Sequence, residues 1–320
     1  MRTLHSAFAA LALCVITPSL HAKDRIGVID YYGYKGFDIT KLRGAIPAHV
    51  GDPFEFTPEH LEAVGEILSR IAAGVQAVTN RPPTDVGLVC CDVHGDWEIY
   101  IGIAGESTHQ IRRNPEPQGT QRLPAEALQL YEQYMGELMR VVEAKLGPDD
   151  QSRGYALSRD PKLRAIELSM HEYALAHEDL LREVLASSSD AQHRIAAAAL
   201  TGYASASAQQ MSALSSAARD VDKIVRNNAT RALGVLASTG KVSLPTAGFI
   251  EMLSSGIWED RNKAMMVLVQ ITQSGDPNLL TEIRASALDA LTEMSRWQCP
   301  EHSADALTLL SRLNASGAGR

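Results

Sequence analysis

The sequence predicts two parts: an α+β module of order β-α-α-β-β, followed by an all-α superhelical array of stacked helix pairs. Three observations predict it. Between residues 97 and 103 the chain alternates, with Trp97, Ile99, Ile101 and Ile103 on one side and Glu98, Tyr100 and Gly102 on the other. That is the period of a strand with one buried face. From Pro161 onward the apolar period is helical throughout. Within that stretch Leu168, Leu200, Leu233 and Leu268 stand 32, 33 and 35 residues apart, each near alanine. A period of this size marks helix pairs that bury their apolar faces only by stacking on one another.

Residues 1–22 read as an export signal. Arg2 is followed by a short apolar core, Ala7 to Ile16, then Thr17-Pro18-Ser19 and a small residue at Ala22. Such a run is shorter than the ~20 residues that span a bilayer and fits a cleaved signal peptide. Leu11-Ala12-Leu13-Cys14 approximates a lipid-attachment box, but Leu13 stands where such boxes require a small residue. The mature chain is then expected to be periplasmic or secreted, with no transmembrane segment. The full sequence has 38 acidic against 30 basic residues, a net charge of −8, which argues against nucleic acid and against an anionic membrane surface. The acidity concentrates in residues 23–106, with 13 acidic and 7 basic groups.

The α+β module occupies residues 23–106. Arg25 to Tyr32 suits a strand that ends in the glycine turn Gly33–Gly36. Asp38 caps a short helix carrying Ile39, Leu42 and Ile46 on one face. Thr57 and Pro58 open a second helix, with Leu61, Val64, Leu68, Ile71 and Val75 as its buried stripe. Val86 to Val93 and Trp97 to Ala104 form a hairpin around His94-Gly95-Asp96. This order, together with the turn Gly33-Tyr34-Lys35-Gly36-Phe37, resembles the POTRA (polypeptide-transport-associated) domain. The resemblance implies an exposed strand edge able to accept a partner's strand.

Residues 107–122 have no apolar period and contain Pro115, Pro117 and Gly119, as a linker does. A helical repeat domain is expected over 123–313, opening with a long helix from Leu123 to Leu146. Candidate second helices are Ser207–Ala217, Pro245–Ser255, Asn278–Ile283 and Ser303–Leu313, and 314–320 reads as a disordered tail. The segment Asp220-Val-Asp222-Lys-Ile-Val225-Arg226-Asn-Asn-Ala229-Thr-Arg-Ala232-Leu233-Gly234 resembles the first-helix signature of a HEAT repeat. The resemblance implies an armadillo-like, HEAT-like superhelical solenoid, with Arg226 and Asp222 as members of a ladder of polar contacts between repeats. Arg284-x-x-Ala287-x-x-Ala290-Leu291 repeats the central arrangement after only 23 residues, which requires a short preceding helix.

No catalytic, cofactor-binding or metal-ligating set is expected. The densest group of potential ligands is Cys90-Cys91-Asp92-x-His94-x-Asp96. Adjacent strand residues point to opposite faces, so Cys90 and Cys91 do not readily chelate one ion; packing is the favoured role, with thiol or metal chemistry as an alternative. A further alternative is a disulfide from Cys90 or Cys91 to Cys299, because export favours oxidation. His171 and His177 are six residues apart, not the four that put two imidazoles on one helical face. Tyr31, Tyr32, Tyr34 and Phe37 suit packing of the first strand better than an aromatic platform. The expected function is a non-catalytic scaffold for a protein or peptide partner in the cell envelope. The alternatives are an accessory of outer-membrane protein handling that binds clients through the N-terminal strand edge, and an enzyme using the cysteine–histidine cluster.

Overall fold

The computed structural model describes residues 23–55, 58–90, 92, 94–144, 148–240 and 242–317; the expected signal peptide, Thr57 and Cys91 lie outside them. Three strands form one sheet in the order β1-β3-β2: β1 (Lys23–Tyr32), β2 (Asp85–Val89) and β3 (Asp96–Gly102). The central β3 runs parallel to β1 and antiparallel to β2. Two helices cover one face. The first, α1 (Ile39–Ala45), is capped by Asp38, whose carboxylate accepts from the Thr40 and Lys41 N–H groups. The second, α2 (Leu61–Thr79), ends at Asn80 in the left-handed conformation. Gly74 lets α2 lie directly on α1, since a Cβ there would come within 2.4 Å of the Ala45 carbonyl oxygen.

The alternation of β3 is as expected: Trp97, Ile99, Ile101 and Ile103 join Ile26, Leu42, Val64, Ile71 and Val75 beneath the two helices. The opposite face is buried as well. Glu98 and Tyr100 have no accessible surface, because helices from the second half of the chain cover them.

Those helices are α3 (Ala125–Ala144), α4 (Pro161–Ala176), α5 (Glu178–Ser187), α6 (Ala191–Thr201), α7 (Ala208–Ala217), α8 (Lys223–Ser238), α9 (Ala247–Met252), α10 (Trp258–Ile271), α11 (Pro277–Met294) and α12 (Pro300–Gly317). Asp160, Asp190, Asp222 and Asp276 cap α4, α6, α8 and α11 through their side chains. The helices α4, α6, α8, α10 and α12 each pack on the next in chain order. A second layer is formed by α5 on α6 and α7, α7 on α8, α9 on α10 and α11, and α11 on α12. Small residues set the spacing: a Cβ on Gly202 would stand 2.9 Å from that of Ala232.

Leu200, Leu233 and Leu268 are fully buried, as the period requires. Leu168 is not: it is 37% exposed, and Met170 takes the buried place in α4. The expected register is therefore two residues off in the first repeat. Asn278–Ile283 is not a separate helix but the first turns of α11, which explains the short interval before the Arg284 signature. The chain also stays helical to Gly317, past the expected start of the tail.

Residues 107–122 contain no helix, yet they do not hang free. His109 N–H donates to Ser254, Asn114 N–H to Arg219, and Gly119 N–H to Ser187, each onto a backbone carbonyl. These acceptors lie in or beside the turns that precede α10, α8 and α6. The segment is thus a strap along consecutive turns, running opposite to the order of the helices.

Candidate functional site

The signature residues fall on a buried ladder. Arg194, Arg226 and Arg261 are each at most 1% exposed. Each guanidinium donates to the carbonyl six residues back, at Ser188, Asp220 and Ser255. Each also meets an acid further along the chain. Arg194 holds Asp220 through two bonds of 2.9 Å; Arg226 holds Asp260 at 2.7 and 3.0 Å. The third rung is looser, with Arg261 Nη1 3.9 Å from Glu293. Asp222, expected as the acid of the ladder, instead caps α8 by accepting from Ile224 and Val225 N–H. Its neighbour Asp220 carries the rung, because the capping geometry turns Asp222 back onto its own helix. Val225, Ala229, Ala232, Leu233 and Gly234 are buried in the same helix.

Glu293 is drawn away from Arg261 by the sheet. Its carboxylate accepts from the Gly33 and Lys35 N–H groups and from the Ser107 hydroxyl, at 2.7, 2.9 and 2.7 Å. The ladder therefore ends on the glycine turn after β1.

Half-buried polar residues of α8 and α10 form a second feature. Neither residues 223–237 nor residues 258–271 include an exposed position. Half-buried Lys223, Asn227 and Arg231 recur every four residues on α8, and Glu259, Lys263 and Met266 share a face of α10. On one side Tyr134 of α3 accepts from Arg231 at 3.0 Å, and Asp149 pairs with the same guanidinium at 3.3 Å. On the other, Asp85 of β2 and Glu259 pair with Lys223 at 3.4 and 3.0 Å. Burial opposes the charge on Lys223, but Asp85 and Glu259 outweigh it and hold its pKa above the ordinary lysine value. At Lys263 the balance is reversed: burial, reinforced by Arg231, outweighs Glu259 and Asp305 and lowers it to about 8. Glu167, within electrostatic range of Arg231, is fully buried and accepts from Ser158 N–H and the Tyr203 hydroxyl. Burial raises it to about 7.

The second polar centre lies between β3 and the start of α12. The Tyr100 hydroxyl is 3.1 Å from Glu98 Oε2 and 2.7 Å from His302 Nδ1, and that nitrogen is 2.9 Å from the same carboxylate oxygen. Glu98 Oε1 is buried and accepts no hydrogen bond. Glu98, Cys299 and His302 each bring one donor atom within 4.8 Å of the others. Burial, then a hydrogen bond to the Glu98 carboxylate and that carboxylate's charge, pushes the Cys299 thiol up to about 12. Trp258 and Trp297 close the centre, each with its ring 5.0 Å from that of Tyr100.

The chain leading into α12 also clasps the sheet. Trp297 Nε1 donates to the Tyr31 carbonyl and Gln298 Nε2 to that of Ile29, both at 3.2 Å. Further along, Ile26 bonds to Gly51 and Asp52. The outer edge of β1 is thus covered at Ile26, Ile29 and Tyr31.

The residues singled out in the sequence are placed differently. Cys299 is a free, buried thiol, whereas Cys90 is disulfide-bonded; the alternative of a bridge from Cys90 or Cys91 to Cys299 is not realised. The distance in the fold explains it, since Cys299 faces β3 and Cys90 packs toward the α1–α2 core. Asp92 Oδ1 accepts from His94 and Asp96 N–H, and Asp96 pairs with Arg25 at 3.0 Å. These acids shape the hairpin. His171 stacks on Tyr155, while His177 ends α4 and packs against Tyr173. Tyr31 enters the α1–α2 core and Tyr32 the opposite one, so the first strand's rings pack rather than form a platform. Sequence reasoning missed Glu98, Tyr100 and His302, whose partners are some 200 residues apart. The available signal was Cys299-Pro-Glu-His302, two ligand types three apart at a helix start.

Compared with known proteins, the chain matches no family model and no curated sequence.

Proposed function

We propose that this protein is an exported, non-catalytic binding scaffold: a HEAT-like solenoid with a POTRA-like α+β module folded against its C-terminal end. The observation that carries the reading is the ladder. Arg194, Arg226 and Arg261 repeat one arrangement, a carbonyl six residues back and an acid ahead, which supports successive copies of one stacking unit. Stacked pairs present long continuous faces to partners.

The face we assign to binding is the half-buried polar face of α8 and α10. It offers half-buried groups of both charges, Lys223, Arg231 and Lys263 beside Asp85, Asp149 and Glu259, with tyrosines at its wall. That mixture suits a protein or peptide segment better than a polyanion. Client binding through β1 is less well supported, because the carbonyls of its outer edge already have donors.

A photocrosslinking amino acid at Asn227 or Met266 tests the assignment, with exposed Leu307 of α12 as the control. In cells that make the protein, covalent partner adducts are expected from 227 and 266 and not from 307. Adducts from 307 alone would remove the α8–α10 face from consideration. Export is tested separately by sequencing the mature N-terminus, which is expected to begin at Lys23.

A further inference from the structure

We propose that Glu98, Cys299 and His302 bind a zinc-type divalent ion that ties β3 to α12. Thiolate sulfur, imidazole nitrogen and carboxylate oxygen form a donor set suited to Zn²⁺, whereas Ca²⁺ and Mg²⁺ take oxygen ligands throughout. Two of the donors come from one turn of chain. Cys299 and His302 are three residues apart at the start of α12, where that spacing places both side chains on one face. The third comes from the sheet, and all three donor atoms already lie within 4.8 Å of one another. Coordination at about 2.0–2.3 Å needs them to close by roughly an ångström. His302 is the side chain with room to adjust, being 18% exposed while Glu98 is fully enclosed.

An independent observation points to a ligand here. Glu98 is completely buried, yet its Oε1 accepts no hydrogen bond. A buried carboxylate is costly unless charge or donors compensate it. Among the described residues its one direct partner able to carry positive charge is His302, and that contact uses the other oxygen. Asp30 is buried in the same seam, where its carboxylate accepts from Gln298. A divalent cation supplies the missing charge at this place. On binding, the Cys299 S–H proton leaves to solvent, and His302 coordinates as the neutral ring. The Tyr100 hydroxyl, within hydrogen-bond reach of both His302 and Glu98, holds those two ligands in orientation. Three protein ligands leave a fourth position for water. The inference does not depend on the scaffold reading.

The test uses the full mature chain, prepared without reductant, treated with a chelator and then titrated with Zn²⁺ or Co²⁺. One equivalent of Zn²⁺ is expected to survive gel filtration. The Co²⁺ form is expected to show tetrahedral visible absorption and a thiolate-to-cobalt charge-transfer band. Cys299→Ser should abolish that band, and Glu98→Gln should keep it; each should weaken uptake by about tenfold or more. Should a variant fail to fold, the wild type still decides: bound Zn²⁺ should slow alkylation of Cys299 at least about tenfold. Sub-stoichiometric uptake by the wild type, or a Co²⁺ adduct without the thiolate band, overturns the proposal. The cluster is then a polar network that only packs.

Discussion

Two polar seams run through the interior, and they are paired to different degrees. Between α6, α8 and α10, Arg194 and Arg226 each meet an aspartate through two hydrogen bonds and a carbonyl through another. Between β3 and α12, Glu98 is buried as deeply, but one of its oxygens is left without a donor. Both seams join elements distant in sequence. Only the first is closed within the chain, and a closed network serves packing, while an open one has capacity for a ligand. Glu293 shows the transition between them: it leaves Arg261 at 3.9 Å to serve the turn at Gly33 and Lys35.

The largest effect should come from opening the closed seam. Arg226→Ala leaves Asp260 buried without its cation, a loss of about 3–5 kcal/mol. Arg226→Met with Asp260→Leu should recover much of it, since removing both charges avoids the uncompensated one. Arg164, which meets Asp150 at 3.8 Å with a 35% exposed side chain, should cost under about 1 kcal/mol as alanine. Urea unfolding measures all three. Equal losses for Arg226→Ala and Arg164→Ala would end the distinction between a structural ladder and ordinary surface pairs.

The next effect tests whether the two seams belong to one folding unit. Gly33 has φ +72°, and a Cβ there would stand 1.9 Å from Thr108 Oγ1 and 2.5 Å from the Ile103 carbonyl oxygen. Gly33→Ala should therefore cost about 2–3 kcal/mol. Because Gly33 N–H bonds Glu293 and Ser107 bonds both Glu293 and Arg261, the loss should appear as an earlier single transition with an unchanged slope. Two transitions would show that sheet and helices unfold separately.

A smaller contrast compares two buried glutamates directly. Glu293 accepts three hydrogen bonds besides its ion pair, so Glu293→Gln should cost about 1.5–3 kcal/mol. Glu98→Gln in the presence of a chelator should cost under about 1 kcal/mol, because the neutral amide relieves a carboxylate with one idle oxygen. If Glu98→Gln proves the more damaging of the two, the second seam is closed after all.

Much of this architecture was legible from local pattern. The alternation of Trp97, Ile99, Ile101 and Ile103, the Asp38 cap and the buried Leu200, Leu233 and Leu268 follow from periods of two and of about 33 residues. What the pattern did not carry was the far side of each element. Glu98 and Tyr100 alternate as solvent-facing residues would, and only the packing of α10 and α12 encloses them. Asp220 and Asp222 are interchangeable by composition; the cap turns one inward to its helix and frees the other for Arg194. The strap is similar, for a stretch without apolar period says nothing about its backbone donors, and those at His109, Asn114 and Gly119 fasten it. These misses concern polar groups whose partners are remote in sequence, unlike the shifted register at Leu168.

The smallest effect concerns a third buried acid, intermediate between the two seams. Glu167 has donors on both oxygens, from Ser158 and Tyr203, but no direct cation. Burial raises it from an ordinary 4.5 to about 7; Asp149 adds to the rise, while the Ser158 N–H, Arg231 and Tyr203 oppose it. Below pH 4.5 the carboxyl is protonated in both folded and unfolded chains and contributes nothing. Between 4.5 and 7 the unfolded chain releases the proton and the folded one keeps it, so stability falls as pH rises through that window. Above 7 the loss is complete and constant. Discounted for solvent screening, it amounts to about 1–2 kcal/mol. Glu167→Gln mimics the protonated form, so its melting temperature should match the wild type near pH 4.5 and exceed it increasingly up to about pH 7.5. A difference that stays flat across this range would place Glu167 with the fully paired acids of the ladder, its charge compensated by Arg231 after all.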